Sequence, residues 1–229
     1  MKTQLLIPAA GLGARMGCAV PKALMDLAGR PMLLRTLERF RALDLIAGAV
    51  IVVPAEARGD FEHALLGAFP EFRVHLVPGG AERQDSVWNG LEALDPDTEI
   101  VVIHDAARPF ISMASIQASI EAAAECGAAT VAIPSVDTIL EGDDAGYLVS
   151  TPERKRLWAC QTPQTFRVDV IREAHRAARL LGYLGTDDAT LVRRAQGRVK
   201  LVLGTPLNFK VTTPADHALA ELAIREGLA

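Results

Sequence analysis

Three glycines and two cations stand close together near the start of the chain. The stretch Pro8-Ala9-Ala10-Gly11-Leu12-Gly13-Ala14-Arg15-Met16-Gly17 follows the short apolar run Leu5–Ile7, and Pro21-Lys22 comes shortly after. A strand that turns into a helix through glycine exposes backbone N–H groups lacking helical partners, and a phosphate fits against them. Glycine also lets the backbone approach phosphate oxygens with no Cβ in the way. Two common phosphate loops are excluded by spacing. The P-loop needs a Gly-Lys pair, but Lys22 follows Pro21. The dinucleotide fingerprint Gly-x-Gly-x-x-Gly places its third glycine on Met16, with Gly17 one residue late. The first acid beyond the second strand, Glu56, lies about twice as far along as the ~20 residues expected of a ribose-binding acid, which disfavours hydride transfer. A loop carrying full charges on Arg15 and Lys22 suits a triphosphate under attack at one phosphorus, where charge spreads over equatorial oxygens and leaving group. An ordinary βα loop with a surface Arg and Lys is the alternative for this stretch alone.

Further charged stations follow later strands. Gly79-Gly80-Ala81-Glu82-Arg83-Gln84-Asp85-Ser86 is a second glycine turn, with Ser86 read as a helix cap. Asp105 and Arg108 lie in His104-Asp105-Ala106-Ala107-Arg108-Pro109, either as ligand contacts or as an ion pair with each other. Arg154 precedes Trp158-Ala159-Cys160-Gln161-Thr162-Pro163-Gln164-Thr165, read as a short strand, Leu157–Cys160, running into a loop. Gly185-Thr186-Asp187-Asp188 reads first as a helix N-cap. Lys210 sits in Asn208–Thr212, a run with edge-strand character in which a lone lysine is otherwise solvated. The five histidines lack metal-ligand spacing, and neither a nucleophile elbow nor a Cys–His pair is suggested, so direct transfer without a covalent enzyme intermediate is expected.

The elements that must position these residues are legible as an alternation. Apolar runs at Gln4–Pro8, Ala49–Pro54, Val74–Pro78, Ile100–His104, Thr130–Pro134 and Val199–Leu203 read as strands buried on both faces. Helical patterns lie between and after them: one opened by Pro31, then Asp60–Ala68, Gln84–Leu94, Ser115–Cys126, Val168–Leu181, Asp188–Gln196 and one starting at Pro214 or Ala215. The result is an α/β parallel sheet with helices on both sides, in which strand ends share one rim. Arg15, Lys22, Arg83, Arg108 and Lys210 all follow strands, so they are expected to gather on that rim. The polar segment Val136–Ser150 interrupts the alternation, with Thr138–Leu140 and Tyr147–Ser150 as arms of a hairpin.

The totals bound the function. The chain has 229 residues, half of them hydrophobic and 23% charged, enough for a full core in one domain. A net charge of −4 argues against a nucleic-acid partner but leaves room for a local anion pocket. Cys18, Cys126 and Cys160 are odd in number and widely spaced, as in reduced cytoplasmic proteins, and the N-terminal apolar run is too short for a signal peptide or a membrane span.

The ordered set "PAAGLGARMG" with "PK", "GGAERQDSV", "HDAARPF", Asp137-Thr138, "RLWACQTPQTF", "GTDDAT" and "NFKVTTPAD" resembles the 2-C-methyl-D-erythritol 4-phosphate cytidylyltransferase family over nearly the whole chain. Two departures are mild: TDDAT stands at 186–190 where TDEAS is frequent, and Ala14 where a second basic residue is frequent. The resemblance implies a three-layer Rossmann-like nucleotidyltransferase fold, mostly parallel, as one domain over 1–229 with a dimerisation β-arm at about 136–154. It implies CMP transfer from CTP to methylerythritol phosphate, with Arg15, Lys22, Arg154 and Lys210 catalytic. CTP would be held by Ala9, Ala10, Gly11, Gly13, Gly80, Arg83, Ser86 and Ala106. Asp105, Arg108, Thr138, Thr162 and Thr186 would face the polyol phosphate. Mg²⁺ or another divalent cation would be held mainly by CTP phosphates in the neighbourhood of Asp105, without direct protein ligands. The partners implied are the two substrates and a second copy of the chain, with Arg154 and Thr138 acting in trans, and neither nucleic acid nor membrane. Within the same chemistry, a ribitol 5-phosphate cytidylyltransferase or a sugar 1-phosphate nucleotidyltransferase are the alternatives. Outside it stands a non-catalytic nucleotide-binding regulator.

Overall fold

The computed structural model describes residues 1–11 and 21–228. Its centre is one seven-stranded sheet in the order β3-β2-β1-β4-β8-β5-β9. The strands are β1 (Thr3–Pro8), β2 (Ile46–Val53), β3 (Val74–Pro78), β4 (Ile100–Ile103), β5 (Ala128–Pro134), β8 (Trp158–Arg167) and β9 (Lys200–Leu203). Pairing is parallel throughout except at β8, which runs antiparallel to both β4 and β5. Two further short strands, β6 (Glu141–Gly142) and β7 (Leu148–Ser150), pair only with each other.

The apolar runs are continuous because each strand is covered on both faces. Leu5 and Ile7 point into one apolar cluster with Leu33, Leu37, Phe40, Ile116 and Ile120. Leu6, between them, points into the opposite cluster with Val87, Leu91, Phe166, Ile171 and Val192. This is the two-residue period of a strand acting on two cores at once. The first face carries α1 (Met32–Arg41), α2 (Arg58–Leu65) and α4 (Met113–Cys126); the second carries α3 (Arg83–Glu92), α5 (Val168–Leu180) and α6 (Asp188–Arg194). A third cluster packs α7 (Pro214–Arg225), through Ala220 and Ala223, against Leu27, Met32, Phe110 and Val211.

Three local expectations are corrected. The stretch Gln161–Thr165 is not a loop but the middle of β8, and all five residues are buried. Its polar run reads as loop because a buried strand is expected to be apolar; here the side chains are hydrogen-bonded instead. Pro163 is tolerated because β8 bulges there: Thr130 pairs with Gln164 but Ala132 pairs with Cys160, so the ladder asks no N–H of Pro163. In the polar insertion, Thr138–Leu140 is not a strand, and the first paired residues are Glu141 and Gly142. Asn208–Thr212 is not an edge strand; it crosses the rim irregularly and is pinned by Val211 N–H donating to Ala107 O at 2.9 Å.

Helix α3 lies so close to the sheet that Gly90 has no room for a side chain. A Cβ there would meet Leu6 Cδ1 at 2.8 Å and Val52 Cγ2 at 3.0 Å. Overpacking at such a site costs about 1–3 kcal/mol, and about 2–4 °C of Tm goes with each kcal/mol in chains of this size. Gly90→Val is therefore expected to lower Tm by about 5 °C, whereas Gly59→Ala, with open space at its Cβ, is tolerated; thermal unfolding followed by circular dichroism checks both.

Candidate active site

The strand order reverses between β1 and β4: the chain goes from β1 outward to β2 and β3, then returns to the other side of β1. The carboxyl ends of β1 and β4 stand side by side at this switch point, the place where open α/β sheets bind ligands in a crevice. A cleft of about 320 Å³ occupies this place. Ala9, Ala10 and Gly11 form one wall, Gly80, Arg83 and Ser86 a second, Asp105 and Ala106 a third, and Lys22 and Lys210 line it as well.

Each wall has a local cause. After β1, Ala9 N–H donates to Val52 O at 2.7 Å, which carries the ladder one residue past the strand. After β3, Gly79 N–H donates to Val53 O at 2.9 Å, and a Cβ at Gly79 would lie 2.5 Å from the Ala10 Cβ, so only glycine lets the two turns touch. Helix α3 is not capped by Ser86, as the sequence reading had it. Glu82 is its N-cap residue, with Asp85 Oδ2 accepting from Glu82 N–H at 3.4 Å. The Ser86 hydroxyl instead accepts from Gly80 N–H at 3.1 Å and fixes the glycine turn from beneath.

The third wall is a hydrogen-bonded relay. Thr162 Oγ1 accepts from Asp105 N–H at 3.1 Å and lies 3.0 Å from His104 Nδ1. His104 Nε2 lies 3.0 Å from Arg108 O, a carbonyl that can only accept, so Nε2 carries the proton and Nδ1 accepts from Thr162. His104 is fully buried, and that burial pushes its imidazole down to about 4, so the ring is neutral. Asp105 Oδ2 stands 2.9 Å from Lys210 Nζ and 3.6 Å from Arg108 Nε. Burial opposes ionisation of Asp105 most strongly, yet Lys210, Arg83 and Arg108 together overcome it and hold the carboxyl at about 2. The Lys210 loop is tied down by Asn208, whose Nδ2 donates to Gln161 Oε1 and to Thr162 O at 2.9 and 2.8 Å, and whose carbonyl accepts from Arg108 Nη1 at 2.7 Å. Behind it, Asp216 at the start of α7 accepts from Thr212 N–H, Thr212 Oγ1 and Thr213 N–H; hydrogen bonding by Thr212 is foremost in holding its carboxyl at about 2.

Of the residues singled out from the sequence, the cleft brings together Ala9, Ala10, Gly11, Lys22, Gly80, Arg83, Ser86, Asp105, Ala106 and Lys210. Gly13 and Arg15 lie outside the described residues. Arg108 does not line the cleft: it is turned beneath the rim, where its guanidinium is spent on Asp105 and Asn208. Thr162 is likewise below the surface, and Thr186 is exposed in the bend before α6, away from the cleft wall. Thr138 and Arg154 sit on the arm between β5 and β8, with Arg154 Nη1 donating to Val136 O at 3.2 Å, and neither reaches the cleft of its own chain. The structure adds four residues that sequence reasoning had not singled out: His104, Asn208, Gln164 and Asp188. Each was visible only as a polar residue inside a motif credited to a neighbour.

A seven-stranded, mostly parallel sheet with an anion-receptive cleft at its switch point has the architecture of a nucleotidyltransferase. The comparisons narrow this to one family. The 2-C-methyl-D-erythritol 4-phosphate cytidylyltransferase profile matches residues 3–226, and the chain belongs to that family. The enzyme of that name from Symbiobacterium thermophilum is 46% identical over 224 residues, spanning 97% of this chain and 92% of the relative. The one from Pelotomaculum thermopropionicum is 44% identical over 225 residues, covering 98% and 94%. Among solved structures, the 4-diphosphocytidyl-2C-methyl-D-erythritol synthase of Anaerococcus prevotii superposes with a TM-score of 0.87 at 29% identity, covering 98% of both chains. The Thermus thermophilus cytidylyltransferase superposes at 0.80 with 36% identity, covering 98% of this chain and 100% of that one.

The Asp105 contacts carry a pH signature. Its folded value, about 2, lies below the ordinary 3.8, so its contribution to stability is full above pH 4 and is lost as pH falls toward 2. Asp105→Asn is expected to be less stable than the wild type at pH 7, with the gap closing as pH approaches 2; urea midpoints of the two proteins across that range check it.

Proposed function

We propose that this chain transfers CMP from CTP to 2-C-methyl-D-erythritol 4-phosphate, giving 4-diphosphocytidyl-2-C-methyl-D-erythritol and pyrophosphate, as a cytoplasmic homodimeric enzyme of isoprenoid precursor biosynthesis by the non-mevalonate route. The observation that carries this reading is the family match over residues 3–226, supported by a switch-point cleft lined by Lys22, Arg83 and Lys210. CTP lies along the wall after β1, with Ala9, Ala10, Gly11 and Gly13 near base and phosphates and Gly80, Arg83, Ser86 and Ala106 around base and ribose. The Ser86 oxygen already accepts from Gly80, which leaves its own proton to offer to the nucleoside.

An oxygen of the polyol phosphate attacks the α-phosphorus of CTP. A P–O bond forms on that side, the bond to the β-phosphate breaks, and pyrophosphate departs with the electron pair. The attacking group is already an anion, so no general base is required. The obstacle is the repulsion between two anions, and fixed cations reduce it. Lys22 and Arg15 stabilise the charge that develops around the α-phosphorus. Lys210 and Arg154 hold the attacking phosphate, with Asp105, Arg108, Thr138, Thr162 and Thr186 around the polyol either directly or by shaping the rim. The Asp105–Lys210 contact sets where that ammonium stands before substrate arrives.

A divalent cation, Mg²⁺ above all, suits this site as a passenger of the nucleotide. Among the described residues no group of three or more His, Cys, Asp or Glu stands together as a metal cage. Magnesium commonly binds through one or two carboxylates plus substrate phosphates, and Asp105 lines the cleft where those phosphates would lie. When bound, the ion neutralises triphosphate charge and favours departure of pyrophosphate.

The arm supports a shared site. Its apolar side chains Val136, Tyr147, Leu148 and Val149 are 83, 74, 62 and 61% exposed, an unusual expense for a protein surface unless a second subunit covers them. Arg154 and Thr138 would then complete the partner's cleft.

Pyrophosphate release on incubation with CTP, Mg²⁺ and methylerythritol phosphate is the expected assay result, and a preference for ribitol 5-phosphate in its place would overturn the substrate. Lys22→Ala is expected to retain the fold by circular dichroism and lose well over tenfold in turnover, a change of more than about 1.4 kcal/mol in the barrier. Mixing inactive Lys22→Ala and Arg154→Ala subunits and letting them exchange is expected to restore about a quarter of wild-type activity, since half the dimers are mixed and each holds one intact site. No recovery in verified mixed dimers would remove the shared site.

A further inference from the structure

We propose that Asp188 is a positioning residue for nucleotide binding, holding the guanidinium of Arg83 at the cleft wall from a buried base shared with His175 and Gln164. The inference rests on the reading that CTP occupies this cleft. Asp188 is the first residue of α6 and is fully buried. Its Oδ1 lies 3.3 Å from His175 Nε2, and its Oδ2 lies 2.8 Å from Arg83 Nη1. His175 is itself fully buried and projects from α5. Gln164 Oε1, in the middle of β8, accepts from both Asp188 N–H and Ala189 N–H at 3.0 Å, which fixes the start of α6 to the sheet. Asp187 adds the N-cap, accepting from Thr190 N–H at 2.7 Å. The carboxylate of Asp188 therefore has no freedom to follow Arg83; the guanidinium must come to it.

The energetics favour that direction of control. A buried carboxylate is tolerated only when paired and hydrogen-bonded, and breaking such a pair is costly. Arg83 begins α3 and its side chain keeps about a third of its surface exposed, 36%, against 1% for Asp188. Arg83 thus stands between the two: its Nη1 pairs with the buried carboxylate, and the same side chain lines the cleft. Arginine's rigid planar fork makes this possible, because fixing one edge orients the other. The arrangement also changes what Arg83 offers. With its charge largely matched by Asp188 and further balanced by Asp105, it acts as a directional set of donors more than as a phosphate clamp. Such donors suit the uncharged oxygens of a nucleoside, its ribose hydroxyls or base carbonyl, and leave the triphosphate to Lys22 and the glycine loop.

The test is a double-mutant cycle on the full-length enzyme, with kcat and KM measured separately for CTP and for methylerythritol phosphate. Asp188→Asn and Arg83→Gln are each expected to raise KM for CTP about tenfold, the scale of one lost charged hydrogen bond, with kcat and KM for the polyol phosphate little changed. The double variant is expected to match Arg83→Gln alone, because Asp188 acts only through Arg83. A purely structural Asp188 would lower Tm without moving KM for CTP, or would add its effect to that of Arg83→Gln, and either result overturns the proposal. So does an unchanged KM for CTP in Arg83→Gln. Should Asp188→Asn not fold, Asp188→Glu takes its place in the cycle under the same criteria: a raised KM for CTP that vanishes in the Arg83→Gln background supports the proposal, and an unchanged or additive one overturns it. A wild-type enzyme without CTP-dependent pyrophosphate release would defeat the cytidylyltransfer reading and this inference together; normal wild-type turnover with an additive cycle defeats this inference alone.

Discussion

Asp105 stands at the end of the central strand with Lys210 at 2.9 Å, Arg108 at 3.6 Å and Arg83 close enough to favour its ionised form further. A site that must receive a triphosphate needs cations that are already in place, yet unpaired cations repel one another and drift into solvent. One ionised carboxylate among them resolves the conflict. It holds Lys210 against the cleft and Arg108 beneath it, while the excess positive charge stays available to a ligand. Preorganisation of this kind makes fixed charges effective, because nothing has to rearrange when charge develops in the reaction. The depth of the cleft, the path of the Lys210 loop and the hydrogen bonds under the rim all serve to keep that carboxylate where it is.

Strand β8 is what makes the arrangement rigid. Running against its neighbours, it brings the polar residues Gln161, Thr162 and Gln164 into the middle of the sheet beside the ends of β4 and β5. Each of them reaches a different part of the site. Gln161 receives Asn208 and so the Lys210 loop, Thr162 receives Asp105 and orders the His104 tautomer, and Gln164 receives the start of α6. A buried polar network of this sort is costly if any member is left unpaired and specific if all are satisfied. It links three segments, distant in sequence, to one strand.

Much of the frame was legible in the sequence, and for a clear reason. Strands buried on both faces leave uninterrupted apolar runs, and β1, β2, β3, β4, β5 and β9 appeared within a few residues of their observed limits. Helix boundaries marked by Pro31, Pro214 and Asp187 were read from capping chemistry alone. The gathering of Lys22, Arg83 and Lys210 followed from their places after strands, since parallel strands send those ends to one rim. Strand β8 was half missed because its hydrogen-bonded polar side chains imitate a loop. Ser86 was misjudged as a cap because a Ser near a helix start has two uses, and only the position of Gly80 decides between them.

Composition, periodicity and motif order were enough to determine the fold class, the family and the edge of the sheet where chemistry belongs, because those depend on local pattern and on rules of strand connection. The tertiary structure alone decided which polar residues line the cleft and which pair with one another beneath it. Arg108 looked like a ligand contact and lies beneath the rim; Asp188 looked like a helix start and grips Arg83. Pairings of this kind span about a hundred residues of chain, and their partners are chosen by distance in a folded molecule, which no spacing along the sequence encodes.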